Sequence, residues 1–242
     1  MSGPRQTLDG AVLIVGSLIW DNDRRGEWRN AHLDSERARP VRAPIRYGRI
    51  SESRNNTYTM TLDADGATGV GALVPLARQI EDVQDLVREA EALWAAEDRN
   101  TGANALGSSW GCVGVLIRSR DSLGHLAREW AANFTNRAEP FPPVTRNGLL
   151  QIPWPADVET SEPVECDVIL ATANKPVGEF VDSAVIAAAW CERGHESYFF
   201  NNVLNGIRTE QDASIWAEMK RRRGSSFGGG MYEDAIKVLE SD

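Results

Sequence analysis

Residues 78–98 constrain this chain more than any other stretch. Counted at 100° per residue, Ile80, Val83, Leu86, Val87, Ala90, Leu93 and Trp94 fall within one stripe about 120° wide. A helix with one apolar face has to bury it against a second layer, and strand-like segments precede it. Residues 11–15 (AVLIV) are continuously apolar and stop at Gly16, as a short buried strand does. Further strands are expected at 41–52, 57–63 and 69–74. The second of these, TYTMTLD, alternates polar and apolar residues, and Asp65-Gly66 offers a turn after it. The expected class is α+β: a mixed, largely antiparallel sheet or small β-barrel flanked by helices.

The rest of the chain continues this scheme. A helix is expected around 24–34, a strand at 112–117 (CVGVLI) and a helix around 122–134 with Asp121 as its N-cap. After a strand near 164–173, helices follow at about 182–192, 196–207 and 212–223. Residues 139–163 hold six prolines and little periodicity, which reads as a loop or lid rather than packed structure. The expected organisation is one domain over 1–242: a core of about 8–138 and 164–207, the Pro-rich loop 139–163, and a helical extension 208–242.

Charge narrows the function classes. With 26 basic and 35 acidic residues the net charge is −9, which argues against a nucleic-acid or anionic-membrane surface. Residues 1–54 nevertheless hold ten Arg against seven Asp or Glu. An arginine-rich quarter can line a pocket for a small carboxylate, because guanidinium groups grip carboxylates bidentately. Solvated faces are the ordinary place for most of these arginines. No apolar run approaches the roughly 20 residues of a membrane span. Arg5 and Asp9 do not resemble a secretory signal, so a cytoplasmic protein is expected. Cys112, Cys166 and Cys191 lie far apart, and His32, His125 and His195 show no ligand spacing, so neither a metal nor another cofactor is expected. The histidines read as surface or helix-end residues.

Two features carry chemistry. On the helical count Glu97 lands inside the apolar stripe, while Glu81, Asp82, Asp85, Glu89, Glu91 and Asp98 project outside it. A carboxylate beside Leu93 and Trp94 loses hydration, its pKa rises, and it becomes fit to exchange a proton near neutral pH. The plainer alternative is a frayed helix end with Glu97 paired to Arg99. The second feature is the turn Val15-Gly16-Ser17-Leu18 after the first strand. Glycine there admits the backbone angles of an anion-binding nest of N–H groups.

Together these residues resemble the γ-glutamylcyclotransferase-like family, whose signature is a Tyr-Gly-Ser-Asn/Leu loop after the first strand and a glutamate closing a later helix. Residues 12–20 read VLIVGSLIW, so Gly16, Ser17 and Leu18 match and Val15 replaces the tyrosine. Residues 92–97 read ALWAAE, with Glu97 at the glutamate and Trp94 where the family's Leu-Asp-x-x-Glu pattern has Asp. Residues 198–206 (YFFNNVLNG) are loosely similar to the late helix with its substrate-side tyrosine, here Tyr198. The resemblance implies cyclisation of a γ-glutamyl amide or γ-glutamyl amino acid to 5-oxoproline. It makes Glu97 the general acid/base and Val15, Gly16, Ser17, Leu18 and Tyr198 the substrate-binding residues, with no metal or organic cofactor. The implied partner is a small molecule bearing a γ-glutamyl group.

Three other readings compete. Gly107-Ser108-Ser109-Trp110-Gly111 matches G-x-S-x-G, but the strand-like run follows the serine instead of preceding it, the reverse of a nucleophile elbow. LIVG at the first strand lacks the G-x-G-x-x-G of a dinucleotide fold. A non-catalytic binding or interaction protein on the same scaffold, with Trp20, Trp28 and Trp154 lining a remodelled pocket, is the serious rival.

Overall fold

The computed structural model describes residues 7–64, 68–98, 105–119, 123–134, 141–178, 180–227, 230 and 232–241. The Asp65-Gly66 turn, Arg99 and the Asp121 cap lie outside the described residues.

The fold is α+β. Strands β1 (Gly10–Ile14), β2 (Arg39–Ala43), β5 (Gly69–Pro75), β6 (Gly107–Ser108), β7 (Gly111–Ile117), β8 (Ala156–Asp157) and β9 (Val168–Asn174) form the main sheet in the order β6-β7-β9-β1-β5-β2-β8. Strands β1 and β9 run parallel, from Gly10 opposite Val168 to Val12 opposite Leu170, and the other pairs are antiparallel. Strand β10 (Arg208–Thr209) adds to β5. The sheet is open: among the described residues no pairing joins β6 to β8, which removes the barrel alternative.

The single strand expected at 41–52 is two strands. Pro44 lacks the N–H that a continuous ladder needs. It separates β2 from β3 (Ile45–Ser51), which leaves the main sheet to pair with β4 (Thr57–Leu62) in a hairpin. A bulge at Gly48 sets Tyr47 opposite Met60 and Arg49 opposite Thr59. Residues two apart on an unbroken strand share a face, but here they oppose consecutive partners and turn to opposite sides. Tyr47 enters the core and Arg49 remains half-buried.

Helix α1 (Arg24–His32) packs on α2 (Val83–Glu97), and α2 covers β7 and β9 beside α3 (Gly124–Asn133). Helix α2 starts later than its stripe, because the Asp82 carboxylate caps it by accepting from the N–H groups of Gln84 and Asp85. Ile80, counted in the stripe, instead bridges Leu8 as extended backbone. Helices α4 (Ser183–Arg193), α5 (Glu196–Leu204), α6 (Asp212–Arg223) and α7 (Glu233–Ser241) pack together, α6 on α4 and α7 on α5.

The Pro-rich segment, as far as it is described, is mostly irregular chain, as the sequence suggests, but its first half packs against the sheet. Phe141, Val144, Leu150 and Ile152 are buried, Leu149 bridges Val115 of β7, and β8 closes the far edge of the sheet. Prolines erase periodicity without preventing burial, so a loop without a pattern still contributes side chains to the core. Among the described residues no helix is long and apolar enough to cross a membrane.

Candidate functional site

At the ends of the parallel pair β1 and β9 the chain leaves a narrow pocket of about 60 Å³. Six parts of the sequence meet there: the turn after β1 (Val15, Gly16, Ser17, Leu18), α1 (Arg25), the hairpin (Arg49, Ser51, Ser53, Arg54, Thr59, Met60), β9 (Thr172, Asn174), α2 (Glu97) and α5 (Tyr198). All six residues singled out from the sequence line this one pocket.

The turn is shaped for space rather than for a nest. Gly16 has φ −179°, an extended value open to any residue. A Cβ at Gly16 would instead lie 3.0 Å from the Tyr198 hydroxyl. The glycine is needed because the phenol packs on the main chain. Residues Ser17–Ile19 form a 3-10 turn, whose first N–H groups have no carbonyl within the turn to bond. Buried Arg29 braces the turn from behind: it donates to the carbonyl of Leu18 and, at 2.8 Å, to that of Asp21. Burial lowers the Arg29 pKa, and Asp21 and Asp23 offset part of that.

Tyr198 and Asn202, one turn apart on α5, tie three segments together. The Tyr198 Oη accepts the Met60 N–H at 3.1 Å, and Trp20 Nε1 donates to Asn202 Oδ1 at 2.8 Å. Arg54 lies over the Tyr198 ring at 4.7 Å. Burial raises the Tyr198 pKa, with the Met60 N–H and then Arg54 pulling it back.

Glu97 ends α2 with its side chain 15% exposed, and its neighbours are cations. Arg25 donates to Glu97 Oε2 from Nε and Nη2, each at 3.4 Å. The preceding residue, Arg24, donates to the carbonyls of Ala96 and Glu97, both at 2.7 Å, capping the helix end. Consecutive arginines of α1 thus hold both the backbone and the carboxylate of the same residue. The helical count places this carboxylate against Leu93 and Trp94, but those two lie in the core and Glu97 faces Arg25.

The carboxylate that α2 buries most deeply is Glu89, 4% exposed and expected outside the stripe. It meets His32 Nδ1 at 2.7 Å and Arg78 Nη2 at 2.6 Å. Packing of α1 on α2 widens the buried face, which a single-helix count cannot register. His32 is the helix-end residue the sequence suggests, the last of α1, and its contact with Glu89 comes from that packing.

Arg49 is one of several pocket residues that the sequence leaves unassigned. Burial lowers its pKa, with Glu97 raising it in part. Its guanidinium lies 4.2 Å over the Trp110 ring. Trp110 is itself anchored, donating to Asp98 Oδ2 at 3.0 Å. Thr172 and Asn174 line the pocket, and among the described residues Thr172 Oγ1 and Asn174 Oδ1 are buried without a hydrogen-bond partner. Neither Trp20, Trp28 nor Trp154 lines the pocket. The G-x-S-x-G run is the tight β6–β7 hairpin, Ser108 facing Gly111, so Ser109 sits on a turn between strands rather than an elbow. Among the described residues no group of three His, Cys, Asp or Glu side chains is placed to hold a metal ion.

What this arrangement can do chemically is bind a small anion among arginines and present one carboxylate to it. No family model matches the chain, and no curated protein or solved structure is significantly similar to it.

Proposed function

We propose that this protein cyclises γ-glutamyl compounds, releasing 5-oxoproline and a free amine or amino acid. The observation that carries the reading is the meeting of Glu97 with the Gly16-Ser17-Leu18 turn in one pocket, although about 80 residues separate them. The pocket is narrow, so the substrate's head enters first and its γ-amide lies at the rim beside Glu97. The α-nitrogen attacks the γ-carbonyl carbon, a C–N bond closes the five-membered ring, and the bond to the leaving nitrogen breaks. Glu97 takes the proton that the attacking nitrogen loses and returns it to the leaving nitrogen. No water is consumed. The N–H groups of the turn hold the α-carboxylate or the developing oxyanion. Ring closure is intramolecular, so holding a folded conformer draws on effective molarities of about 10⁵ M or more.

The second reading is a non-catalytic binder of a small anion. The Glu97–Arg25 ion pair favours it, since the pair gives Glu97 a structural role. The deciding experiment offers γ-glutamyl amino acids, γ-glutamyl amines and glutathione, and follows 5-oxoproline. Release by the parent and its loss in Glu97→Gln support the enzyme. A parent inactive on the whole panel leaves the binder, and a Glu97→Gln as active as the parent removes Glu97 from the chemistry.

A further inference from the structure

Beyond Glu97 the narrow pocket opens into a second room that ring closure does not use, a cleft of about 1140 Å³. Five cations line it. Three are engaged: Arg24 on the end of α2, Arg25 on Asp21 and Glu97, and Arg54 on Asp21 at 3.3 Å. The other two, Arg49 and Lys175, have side chains with no hydrogen bond or ion pair among the described residues. Main-chain bonds bring them to one wall. The Lys175 N–H donates to the Trp110 carbonyl at 2.9 Å, and the Val177 N–H donates to the Gly48 carbonyl at 2.7 Å. Arg49 follows that glycine and lies over the Trp110 ring. The indole therefore orients the guanidinium plane while leaving its N–H groups open, the state in which a fork of donors meets a carboxylate. Glu52, the one unpaired anion among the described residues lining the cleft, sits on the exposed hairpin turn. Among the described residues the cleft lining balances five cations with five carboxylates, and Arg49 feels Glu97. What sets this wall apart is that the Arg49 and Lys175 donors are open beside the carboxylate proposed to protonate the leaving nitrogen.

We propose that this wall is a carboxylate subsite for the leaving group. Arg49 and Lys175 hold the carboxylate of the expelled amino acid or peptide, so γ-glutamyl amino acids are preferred to γ-glutamyl amines. The inference rests on the cyclisation reading for the words "leaving group", while the subsite itself is a matter of binding.

The test compares γ-glutamyl-leucine with γ-glutamyl-isopentylamide, which keeps the leucine skeleton and lacks its carboxylate. The parent should favour the acid in kcat/KM by about tenfold or more, the scale of a charge-assisted hydrogen bond. Arg49→Gln should bring that ratio close to one. Exposed Lys175→Ala should lower it about two- to fivefold, and because the side chain is in solvent this variant keeps the test open should Arg49→Gln fold poorly. A parent ratio of one, or ratios that neither variant changes, overturns the subsite. Calorimetric titration of both compounds into Glu97→Gln protein separates the two claims. Tighter binding of the acid with no 5-oxoproline from either compound in the parent overturns the cyclisation and supports the subsite. Equal binding overturns the subsite.

Discussion

Helix α5 borders two regions of opposite character. On one side Tyr198 meets the pocket. On the other, the next residues Phe199 and Phe200 enter an aromatic cluster, where Phe200 stacks on Tyr232 at 4.2 Å and meets Trp216 and Phe227 edge-on at 5.8 and 5.7 Å. The cluster is closed by its own atoms, with only the Trp216 Nε1 left over among its described members. Among the described residues the pocket retains an Arg49 guanidinium with no hydrogen bond or ion pair and buried Thr172 and Asn174 oxygens with no hydrogen-bond partner. A buried polar atom without a partner costs about 1–3 kcal/mol. Such atoms also occur elsewhere, at Tyr47 and Gln211 for example, so what marks the pocket is that two of them line the same cavity as Arg49 and Glu97.

That contrast can be broken by substitution, and the largest effects should separate cleanly. Glu97→Gln should cut 5-oxoproline formation by about 10²–10⁴-fold, while its melting midpoint moves little, because a partly exposed ion pair contributes about 1 kcal/mol or less. Phe200→Ala should do the reverse, losing about 3–5 kcal/mol in urea unfolding with kcat of the folded protein retained. A Glu97→Gln protein as destabilised as Phe200→Ala would merge the two regions into one structural unit.

Smaller effects sharpen the boundary at Tyr198. Tyr198→Phe leaves the buried Met60 N–H without its acceptor and should cost about 1–3 kcal/mol, together with a rise in KM as the pocket wall loosens. Gly16→Ala places a methyl 3.0 Å from the same hydroxyl and should cost about 1 kcal/mol, with a larger loss in kcat/KM than in stability. Unaltered kinetics in Gly16→Ala would remove the turn from the site.

The smallest effect lies away from both regions. Burial pushes the Cys166 thiol up to about 12. A raised pKa in the folded state favours the neutral thiol. Its contribution to stability is therefore complete below the ordinary thiol range and is lost as pH climbs through about 12. Iodoacetamide at pH 8 should leave Cys166 unmodified until the protein is denatured, as read by mass spectrometry.

Much of the scaffold was legible because local pattern and local structure coincide. The runs AVLIV and CVGVLI became β1 and β7, and the stripe of 78–98 became α2 once Asp82 had set its start. The readings that failed depended on neighbours distant in sequence. Pro44 split a strand whose halves went to different sheets. The Pro-rich stretch packed without periodicity, and Glu89 was buried by a second helix that no count along α2 contains. Among candidate site residues Glu97, Gly16 and Tyr198 could be named from motif order. Arg49 could not, because the Gly48 bulge decides which side of the hairpin it faces.

The sequence by itself determined most of the longer helices and strands and which helix carries a carboxylate at its end. These follow from residue periodicity and capping, which act over a few positions. Only the tertiary structure decided that Arg25 grips Glu97, that Tyr198 packs on Gly16, and that Arg49 and Lys175 share a wall. Those contacts arise from sheet register, one bulge and helix packing, which bring together side chains tens to nearly two hundred residues apart.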